Sequence, residues 1–399
     1  MSEVRRILIS DVCDLNSRST TNLDAYGCIE YLETGSIVRN AISTTQTLYP
    51  KFDEIPSRAK RKVKHGSIIY STVRPNQEHF GYLNHPSENL IVSTGFTTLD
   101  VKDSSVDSRF LFYLLTQKHI TNYLHKIGEN SVSSYPSINP TDIGNLTFRI
   151  PKNRSEQQQI AAVLSALDAK IDCNNRINVE LEAMAKTLYD YWFVQFDFPD
   201  ANGKPYKSSG GKMVYNPALK REIPEGWHDA VVADILDKTP SSTKILNKEI
   251  LDTGVIPVID QSQSYICGFT DEKSSLIVPK QPHVVFGDHT RVVKLVNFSY
   301  ARGADGTQIL VSKDMRMPGY LLHQVVSDID LSSYGYARHY KFLKESKIIL
   351  PNQTNAQKYQ AVVTPWLEKT RESIFENLEL ARLRDWLLPL LMNGQVTVA

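Results

Sequence analysis

The sequence predicts an α+β fold in which two similar mixed α/β domains are separated by two long antiparallel helices. A proline turn at Ile150-Pro151 is followed by Gln157-Gln158-Gln159 and a long amphipathic run. Two hundred residues later (350 − 150 = 200), Leu350-Pro351 and Gln357 precede a second long amphipathic run. Short β-rich segments broken by Gly, Pro, Asn and Ser fill the region before each turn. A chain with two such halves is expected to contact two places at once.

The composition is that of an ordinary soluble protein. The 399 residues, of which 41% are hydrophobic and 22% charged, allow two or more domains with separate cores. We find no apolar run of about 18 residues and no signal-like N-terminal segment, so we expect a cytoplasmic protein without membrane contact. The net charge of +1 neither favours nor excludes a nucleic-acid partner. Four widely spaced cysteines without a CxxC pair argue against structural zinc and a disulfide framework: Cys13, Cys28, Cys173 and Cys267.

Further segment pairs extend the repeat through both globular halves. Their order is kept while the offset falls from 227 to 216 to 207 to 200, as loop-length differences in a duplicated domain would produce. A period near 200 indicates tandem domains rather than a solenoid. The matched segments are Gly27–Leu32 with Gly254–Ile259, Ser67–Tyr70 with His283–Phe286, and Tyr113–Thr116 with Tyr320–His323; Arg74 and Arg291 follow the two members of the second pair.

Alternating and helical patterns predict the same mixed organisation in each half. Strands are expected within Gly66–Val73, Leu90–Val101, Gln281–Phe286 and Val292–Phe298, and helices over Phe110–Leu124 and Pro318–Val326. The predicted organisation is a first globular domain (1–150), a central long-helix region (151–198), a linker (199–226), a second globular domain (227–350) and a C-terminal long-helix region (351–399).

The first long helix carries a heptad seam. Ser155 followed by Gln158 fits a capping box at its start. Asn174 and Asn178 interrupt the seam, either as buried polar residues that fix register or because this stretch bows into solvent. A break at Ser165 is also compatible with the pattern. The seam residues are Ile160, Leu164, Leu167, Ile171, Leu181 and Leu188.

The second long helix has a similar apolar pattern and a different predicted start. Thr364-Pro365 resembles an N-cap followed by proline at the first helical position, so a short helix is expected before it and the long helix after it. Its apolar positions are Val363, Leu367, Ile374, Leu380, Leu383 and Leu387. The second globular domain begins after helix one and ends before helix two. If the seams pack together, the helices are antiparallel with one domain at each end, in a pseudo-two-fold arrangement.

The chain lacks the sequence signatures of common catalytic sites. It has no GxxxxGK[ST] phosphate loop and no GxGxxG after a strand. Asp330 with Glu345 and Lys347 superficially fits a nuclease arrangement, for which a solvated helix end is the simpler interpretation. Histidine pairs such as His79 and His85 are six residues apart, a spacing that does not put two ligands on one helical face. A binding or assembly protein is therefore favoured.

Several segments have the composition of a DNA-binding surface. The run from Arg58 to His65 is strongly basic and suits phosphate contacts, with a solvated surface helix as the alternative. Polar loops in both halves carry residues suited to base edges and backbone, because Arg can bind guanine and Asn or Gln can bind adenine. The candidate DNA-binding residues are Arg58, Lys60, Arg61, Lys62, Arg74, Asn76, Gln77, Ser131, Ser133, Tyr135, Thr243, Lys244, His289, Arg291, Tyr336, Arg338 and His339.

Over essentially its whole length, the chain resembles the specificity subunit of Type I restriction–modification systems. The most specific part of the resemblance is the centre, where Pro151, Glu156-Gln157 and Ile160 lead to Leu188–Asp197. Asn202–Lys207 and Ile223–Trp227 then open the second half. The C-terminal copy departs from the pattern because Ala356 stands where the family has Glu, which puts its local capping in doubt.

The resemblance implies a subunit without catalytic activity that binds double-stranded DNA at a bipartite site. Its two target recognition domains would each read one half of the site, and the helices would set the spacer. It would recruit two modification subunits that methylate adenine with S-adenosylmethionine, and restriction subunits that act as motor and nuclease with ATP and Mg²⁺. The candidate docking residues for the modification subunits are Tyr189, Tyr191, Trp192, Phe193 and Phe196, for which core packing is an equal alternative.

Three other functions remain open at this point. A nucleic-acid-binding adaptor outside restriction is compatible with the basic run. A structural coiled-coil scaffold would have polar domains without paired reading loops. A cryptic nuclease that uses Glu345 and Lys347 would cleave DNA in the presence of a divalent metal.

Overall fold

The computed structural model describes residues 3–131, 135–335 and 338–398. The chain divides into two compact units. Unit 1 comprises Met1–Cys173 with Glu376–Ala399, and unit 2 comprises Asn174–Phe375. Each unit therefore combines a globular domain with a segment of each long helix. No helix in the described ranges is long and apolar enough to span a membrane.

The secondary structure of the first half alternates short strands with helices. Its strands are β1 (Val4–Leu8), β2 (Cys13–Leu15), β3 (Ile29–Leu32), β4 (Ile37–Val38), β5 (Ala41–Ile42), β6 (Gln46–Leu48), β7 (Ala59–Lys62), β8 (Ile68–Ser71), β9 (Phe80–Tyr82), β10 (Leu90–Ser93), β11 (Phe96–Val101) and β12 (Thr147–Pro151). Its helices are α1 (Ile9–Val12), α2 (Ser108–Leu115), α3 (Lys118–Glu129), α4 (Pro140–Gly144) and α5 (Arg154–Tyr189).

The second half repeats much of this order, but it adds a hairpin at its start, and its described elements include no counterpart of β4, β5 or α3. Its strands are β13 (Met213–Asn216), β14 (Arg221–Pro224), β15 (His228–Val231), β16 (Ile256–Ile259), β17 (Gly268–Thr270), β18 (Leu276–Ile277), β19 (His283–Gly287), β20 (Val293–Val296), β21 (Tyr300–Arg302), β22 (Thr307–Leu310) and β23 (Lys347–Leu350). Its helices are α6 (Val232–Ile235), α7 (Gly319–Asp328), α8 (His339–Glu345) and α9 (Gln353–Met392).

The sheet topology confirms the duplication predicted from sequence. In unit 1 one sheet has the order β6-β3-β10-β7, and in unit 2 the corresponding order is β17-β16-β21-β18. The inner pair is parallel in both sheets. The second sheets contain β11-β8-β9 and β22-β19-β20, with antiparallel neighbours. All three matched sequence pairs fall on corresponding elements: β3 with β16, β8 with β19, and α2 with α7.

Two predicted segments fold differently from expectation. The helix predicted over Phe110–Leu124 is divided into α2 and α3 at Thr116 and Gln117. The predicted linker 199–226 contains the antiparallel hairpin β13–β14, and Ile223 from this hairpin is buried in the unit 2 core. Because Ile223 packs beside Trp227 and other apolar side chains in that core, this segment is held against the domain.

Both long helices begin at an asparagine cap, so the capping box predicted at Ser155 and Gln158 is wrong. The Ser155 N–H donates to Asn153 Oδ1 at 2.9 Å, and the Asn355 N–H donates to Asn352 Oδ1 at 2.8 Å. The two caps are 199 residues apart (352 − 153 = 199). Asn352 also removes the doubt about capping of the second helix, because it satisfies a backbone donor of the first turn.

The second long helix is continuous, so the predicted start at Thr364-Pro365 is wrong. Pro365 lies inside α9, where a proline removes a backbone hydrogen bond and costs about 3 kcal/mol. Burial of Tyr359, Val363 and Leu367 in the unit 2 core offsets that cost. The α5 helix is likewise unbroken at Ser165, whose hydroxyl donates to the Ala162 carbonyl at 3.2 Å.

The long helices are antiparallel, as predicted. In unit 1, Asp168 pairs with Arg384 at 2.7 Å and Lys170 pairs with Glu376 at 3.3 Å, so α9 numbers fall as α5 numbers rise. Among the predicted seam residues, Ile160, Leu164 and Leu387 contribute to the core of unit 1, whereas Leu188 and Leu367 contribute to that of unit 2. The half-buried seam residues are Leu167, Ile171, Leu181, Ile374 and Leu380; Asn174 is buried, which favours an interior position over solvent.

Gln157 joins the start of α5 to the domain of unit 1. Its fully buried side-chain amide donates to the carbonyls of Pro151 at 2.8 Å and Ser105 at 3.1 Å. Its amide oxygen accepts from the Asp107 N–H at 2.8 Å. Gln357, the glutamine that follows the second proline turn, is exposed, and the adjacent Ala356 is buried.

We expect Gln157→Ala to lower the free energy of unfolding by about 1–3 kcal/mol, because buried backbone groups lose their partners. Gln357→Ala is the matched control and should change it by less than about 0.5 kcal/mol. Thermal unfolding of the full chain measures both. Equal effects of the two substitutions would contradict this role of the buried amide.

Candidate nucleic-acid interface

An exposed arginine occupies a left-handed backbone position in the turn between β8 and β9. Arg74 has φ 46° and precedes a short 3₁₀ turn, Pro75–Gln77. Its N–H donates to the Pro136 carbonyl at 2.8 Å, which ties this turn to the loop after α3. Asn76 and Gln77 are also exposed, so the turn presents three side chains that can bind base edges. We call residues 74–77 the reading turn of unit 1.

The corresponding turn of unit 2 has the same unusual feature. Arg291 lies between β19 and β20 with φ 61°, and it is exposed. Its N–H donates to the Gly287 carbonyl at 2.8 Å. A left-handed conformation costs a non-glycine residue about 1–2 kcal/mol. Because such strain concentrates at functional sites, its presence at equivalent arginines marks both turns as candidate reading elements.

A second loop lies beside each reading turn. In unit 1, the Ile138 N–H donates to the Thr72 carbonyl at 2.9 Å, and the Arg74 guanidinium lies 5.7 Å from the Tyr135 ring centroid. Ser131, from the same loop, accepts a hydrogen bond from the Ser137 hydroxyl at 3.3 Å. The predicted DNA-binding residues Ser133 and Tyr336 lie outside the described ranges.

In unit 2, the second loop is the segment that leads into α8, and Asp288 anchors it. Its carboxylate accepts from the Tyr340 N–H at 2.8 Å, and its carbonyl accepts from the His339 N–H at 2.9 Å. His339 is buried, and its two ring nitrogens lie 3.0 Å from the carbonyls of Asp288 and Gly335. This corrects the expectation that His339 faces DNA, because here its imidazole holds the loop in place. Arg338, next to it, is exposed.

The basic run is a strand, which corrects the surface-helix alternative. Its side chains divide between two environments, with Lys60 exposed and Arg61 half-buried. Burial lowers the pKa of Arg61 from its usual value. The Lys62 ammonium lies 5.7 Å from the Tyr26 ring centroid. Arg58, just before the strand, is also exposed, so this edge of unit 1 presents a compact positive surface.

The corresponding strand in unit 2 has no basic residue, although exposed Lys273 and Lys280 flank it. Strand β18 has Leu276 and Ile277 in place of the basic residues of β7. Thr243 and Lys244 are exposed nearby, and the Thr243 hydroxyl accepts from Ser274 at 2.8 Å. His289, in the β19–β20 turn, is half-buried and donates its N–H to Gln261 Oε1 at 3.2 Å.

Most of the predicted docking cluster is buried, which favours the core-packing alternative. Tyr189, Trp192, Phe193 and Phe196 all belong to the unit 2 core, whereas Tyr191 is exposed. The predicted residue Tyr191 forms, with two residues of α5 that sequence reasoning missed, a row of exposed apolar side chains at seven-residue intervals. These stripe residues are Ile177, Met184 and Tyr191. Their heptad spacing outside the seam was the available signal.

The residues considered for nuclease chemistry have ordinary structural roles. The Asp330 carboxylate accepts from the Ser332 N–H at 2.8 Å, and Lys347 donates to the Ala218 carbonyl at 3.3 Å. Glu345, at the end of α8, is exposed. Among the residues that the structure describes, no group of three or more His, Cys, Asp or Glu side chains could hold a metal ion.

Comparisons with known proteins point to one family. Residues 1–183 match the family described as the Type I restriction modification DNA specificity domain. The Type I restriction enzyme HindI specificity subunit of Haemophilus influenzae is 26% identical over 468 aligned residues, covering 99% of this chain and 100% of the relative. The MjaIX specificity subunit of Methanocaldococcus jannaschii is 27% identical over 357 aligned residues, covering 84% of this chain and 78% of the relative.

A solved structure shares the fold. The S subunit of a Type I restriction–modification system from M. genitalium aligns with a TM-score of 0.53 and 16% identity, over 98% of this chain and 96% of that one. The duplicated sheets and the two long helices agree with this likeness. The first half of the chain therefore matches a Type I restriction modification DNA specificity domain, and the whole chain is similar to specificity subunits of Type I restriction–modification systems.

Proposed function

We propose that this chain selects a bipartite DNA site for a Type I restriction–modification complex, with each unit reading one half of the site. The observation that carries this proposal is the pair of exposed left-handed arginines, Arg74 and Arg291, at the same turn of two duplicated sheets. A guanidinium can bind two acceptors of one guanine in the major groove. Duplication of the turn, with different neighbouring side chains, supports two half-sites of different sequence.

The two units are expected to contribute differently to affinity. The exposed lysine and arginine around β7 suit sequence-independent phosphate contacts, whereas β18 has a single exposed side chain, Leu276, between the flanking lysines Lys273 and Lys280. Unit 1 would therefore supply more of the salt-dependent binding. Both units would supply base contacts through their reading turns.

The reaction chemistry is assigned to partner subunits. We expect two modification subunits to supply S-adenosylmethionine-dependent adenine methylation, and restriction subunits to supply the ATP- and Mg²⁺-dependent motor and nuclease. The stripe residues Ile177, Met184 and Tyr191 support a docking surface, because exposed apolar side chains in a row commonly mark a protein interface. The buried aromatic residues of the predicted docking cluster would pack beneath that surface.

Substitution of the two arginines tests the assignment of one half-site to each unit. Arg74→Gly and Arg291→Gly keep the left-handed backbone without a Cβ, so the turns should remain folded. Selection from a pool of random DNA duplexes, with the complete modification complex, identifies the preferred sequence. Each variant should lose about 5- to 150-fold of its discrimination at one half of the site, the loss of one good base contact.

The matched control is Lys220→Gly, which changes an exposed left-handed cation (φ 53°) in the β13–β14 hairpin. This variant should select the same sequence as the wild type. Equal weakening of all sequences by Arg74→Gly and Arg291→Gly would show that the arginines bind phosphates. Loss at the same half-site in both variants would contradict the assignment of one half to each unit.

Helix length should set the spacer between the half-sites. At about 1.5 Å per residue, α5 with 36 residues and α9 with 40 residues are about 54 and 60 Å long. Removing seven residues from both helices keeps the heptad phase and shortens each by about 10 Å. The selected spacer should then shorten by about three base pairs at 3.4 Å each, with both half-sites unchanged. An unchanged spacer would reject this role of the helices.

The docking surface can be tested by a single charge. Met184→Lys places an ammonium in the exposed stripe and should abolish co-purification of the modification subunit, because a charge in an apolar interface loses its hydration. Val255→Lys is the control, since Val255 is exposed in a loop of the second domain. Normal co-purification of Met184→Lys would place the docking surface elsewhere.

A further inference from the structure

A small hairpin in unit 1 lies against the strand that leaves the reading turn. Strands β4 and β5 are joined by Arg39 and Asn40, with φ 48° and 71°. Two consecutive left-handed residues form the tight turn that matches the twist of a hairpin. Asparagine tolerates this conformation better than arginine, so contacts elsewhere must hold Arg39 in place.

Backbone contacts seat the tip of this hairpin. The Arg39 N–H donates to the Glu78 carbonyl at 2.9 Å, and the Asn40 N–H donates to the Phe80 carbonyl at 2.9 Å. The Tyr82 N–H donates in return to Asn40 Oδ1 at 2.7 Å. Glu78 directly follows the 3₁₀ segment of the reading turn and is itself left-handed, with φ 57°. The hairpin therefore holds the reading turn at its C-terminal end.

Charged side chains extend this connection to α9. Arg39 Nε lies 3.1 Å from Glu78 Oε2, and Arg39 Nη2 lies 2.8 Å from Asp385 Oδ2. Lys118, at the start of α3, pairs with the other oxygen of Glu78 at 3.1 Å. One guanidinium thus joins the reading turn to a long helix, with the planar fork that arginine provides and lysine does not.

The network continues through Arg384 to α5. Arg384 pairs with Asp385 at 2.9 Å and with Asp168 at 2.7 Å. The Tyr113 hydroxyl donates to the second oxygen of Asp168 at 2.5 Å, and burial raises the pKa of this tyrosine, which keeps the donor protonated. The side chains of Arg384 and Asp168 are 13% and 18% exposed, so solvent screens this part weakly.

Unit 2 has a different arrangement at the corresponding helix positions. With the 199-residue offset of the two caps, Ala185 and Leu367 stand where unit 1 has Arg384 and Asp168. Lys186 stands in place of Asp385 and pairs with Asp328 at 3.2 Å. A cavity of about 450 Å³ lies beside Leu367 and is lined by residues that include His323. The charge network is therefore a feature of unit 1, and the corresponding helix positions in the described part of unit 2 do not form it.

We propose that Arg39 is a positioning residue that fixes the first reading turn relative to the two helix segments of unit 1. It acts through Glu78 on one side and Asp385 on the other, without contacting DNA itself. The inference rests on the proposed function and assigns the precision of the first half-site to a contact outside the turn. Since the same network is absent from the described part of unit 2, its loss should leave the second half-site unaffected.

The test compares Arg39→Met, Asp385→Asn and the double variant in the complete modification complex. Arg39→Met should lose about 5-fold of its discrimination at the half-site that Arg74→Gly affects, as expected for one contact in a partly exposed network. The double variant should lose no more than Arg39→Met, because the two side chains act through one bridge. Discrimination at the other half-site should stay at the wild-type value.

Hydrogen exchange provides a readout that does not depend on DNA. Amides of the first reading turn should exchange faster in Arg39→Met, whereas amides around Arg291 should not change. Lys212→Met is the control, since it removes an exposed ion pair with Glu225 at 2.5 Å, at the open end of the β13–β14 hairpin.

Two outcomes overturn the inference alone: a wild type that selects a bipartite sequence together with unchanged discrimination in Arg39→Met, or equal losses at both half-sites. A wild-type complex that selects no bipartite sequence would overturn the proposed function, and this inference with it.

Discussion

The structure of each unit depends on a hydrophobic core that the globular domain shares with both long helices. In unit 1, Ile160 from α5 and Leu391 from α9 are buried together with side chains of the domain. In unit 2, Tyr189 from α5 and Tyr359 from α9 occupy the same kind of position. Complete burial of one such side chain contributes about 1.5–3 kcal/mol. Domain and helix segments therefore fold as one cooperative body, and a defect in either is expected to destabilise both.

This shared burial explains why the helices tolerate unfavourable residues. Pro365 lies within α9 and Asn174 is buried in α5, although both residue types weaken a helix or its seam. Packing at the ends of each helix fixes its course, so the residues between need not form a dry, uninterrupted seam. A buried polar residue such as Asn174 can then fix the register of the helices, even though it does not stabilise their packing.

The two copies retained their buried scaffold and diverged where side chains reach solvent. Parallel pairing of β3 with β10 and of β16 with β21 is kept because it positions the core. The edge strand exposes Lys60 in one copy and Leu276 in the other. Packing restricts volume and shape at core positions, whereas surface positions are restricted only by what they bind. Arg74 and Arg291 are the exception, because both are exposed and both keep a left-handed backbone at the corresponding turn.

The sequence by itself determined the duplicated α+β fold, the antiparallel helices and the equivalence of Arg74 with Arg291, because periodicity and segment order are local properties. The exact cap, Asn153 rather than Ser155, depended on local backbone geometry that the pattern leaves open. Only the tertiary structure decided that His339 is buried, since burial depends on neighbours from distant segments. The contact of Arg39 with Asp385 spans 346 residues. No local pattern encodes such a pairing, because it exists only after the core of unit 1 has brought the domain and α9 together.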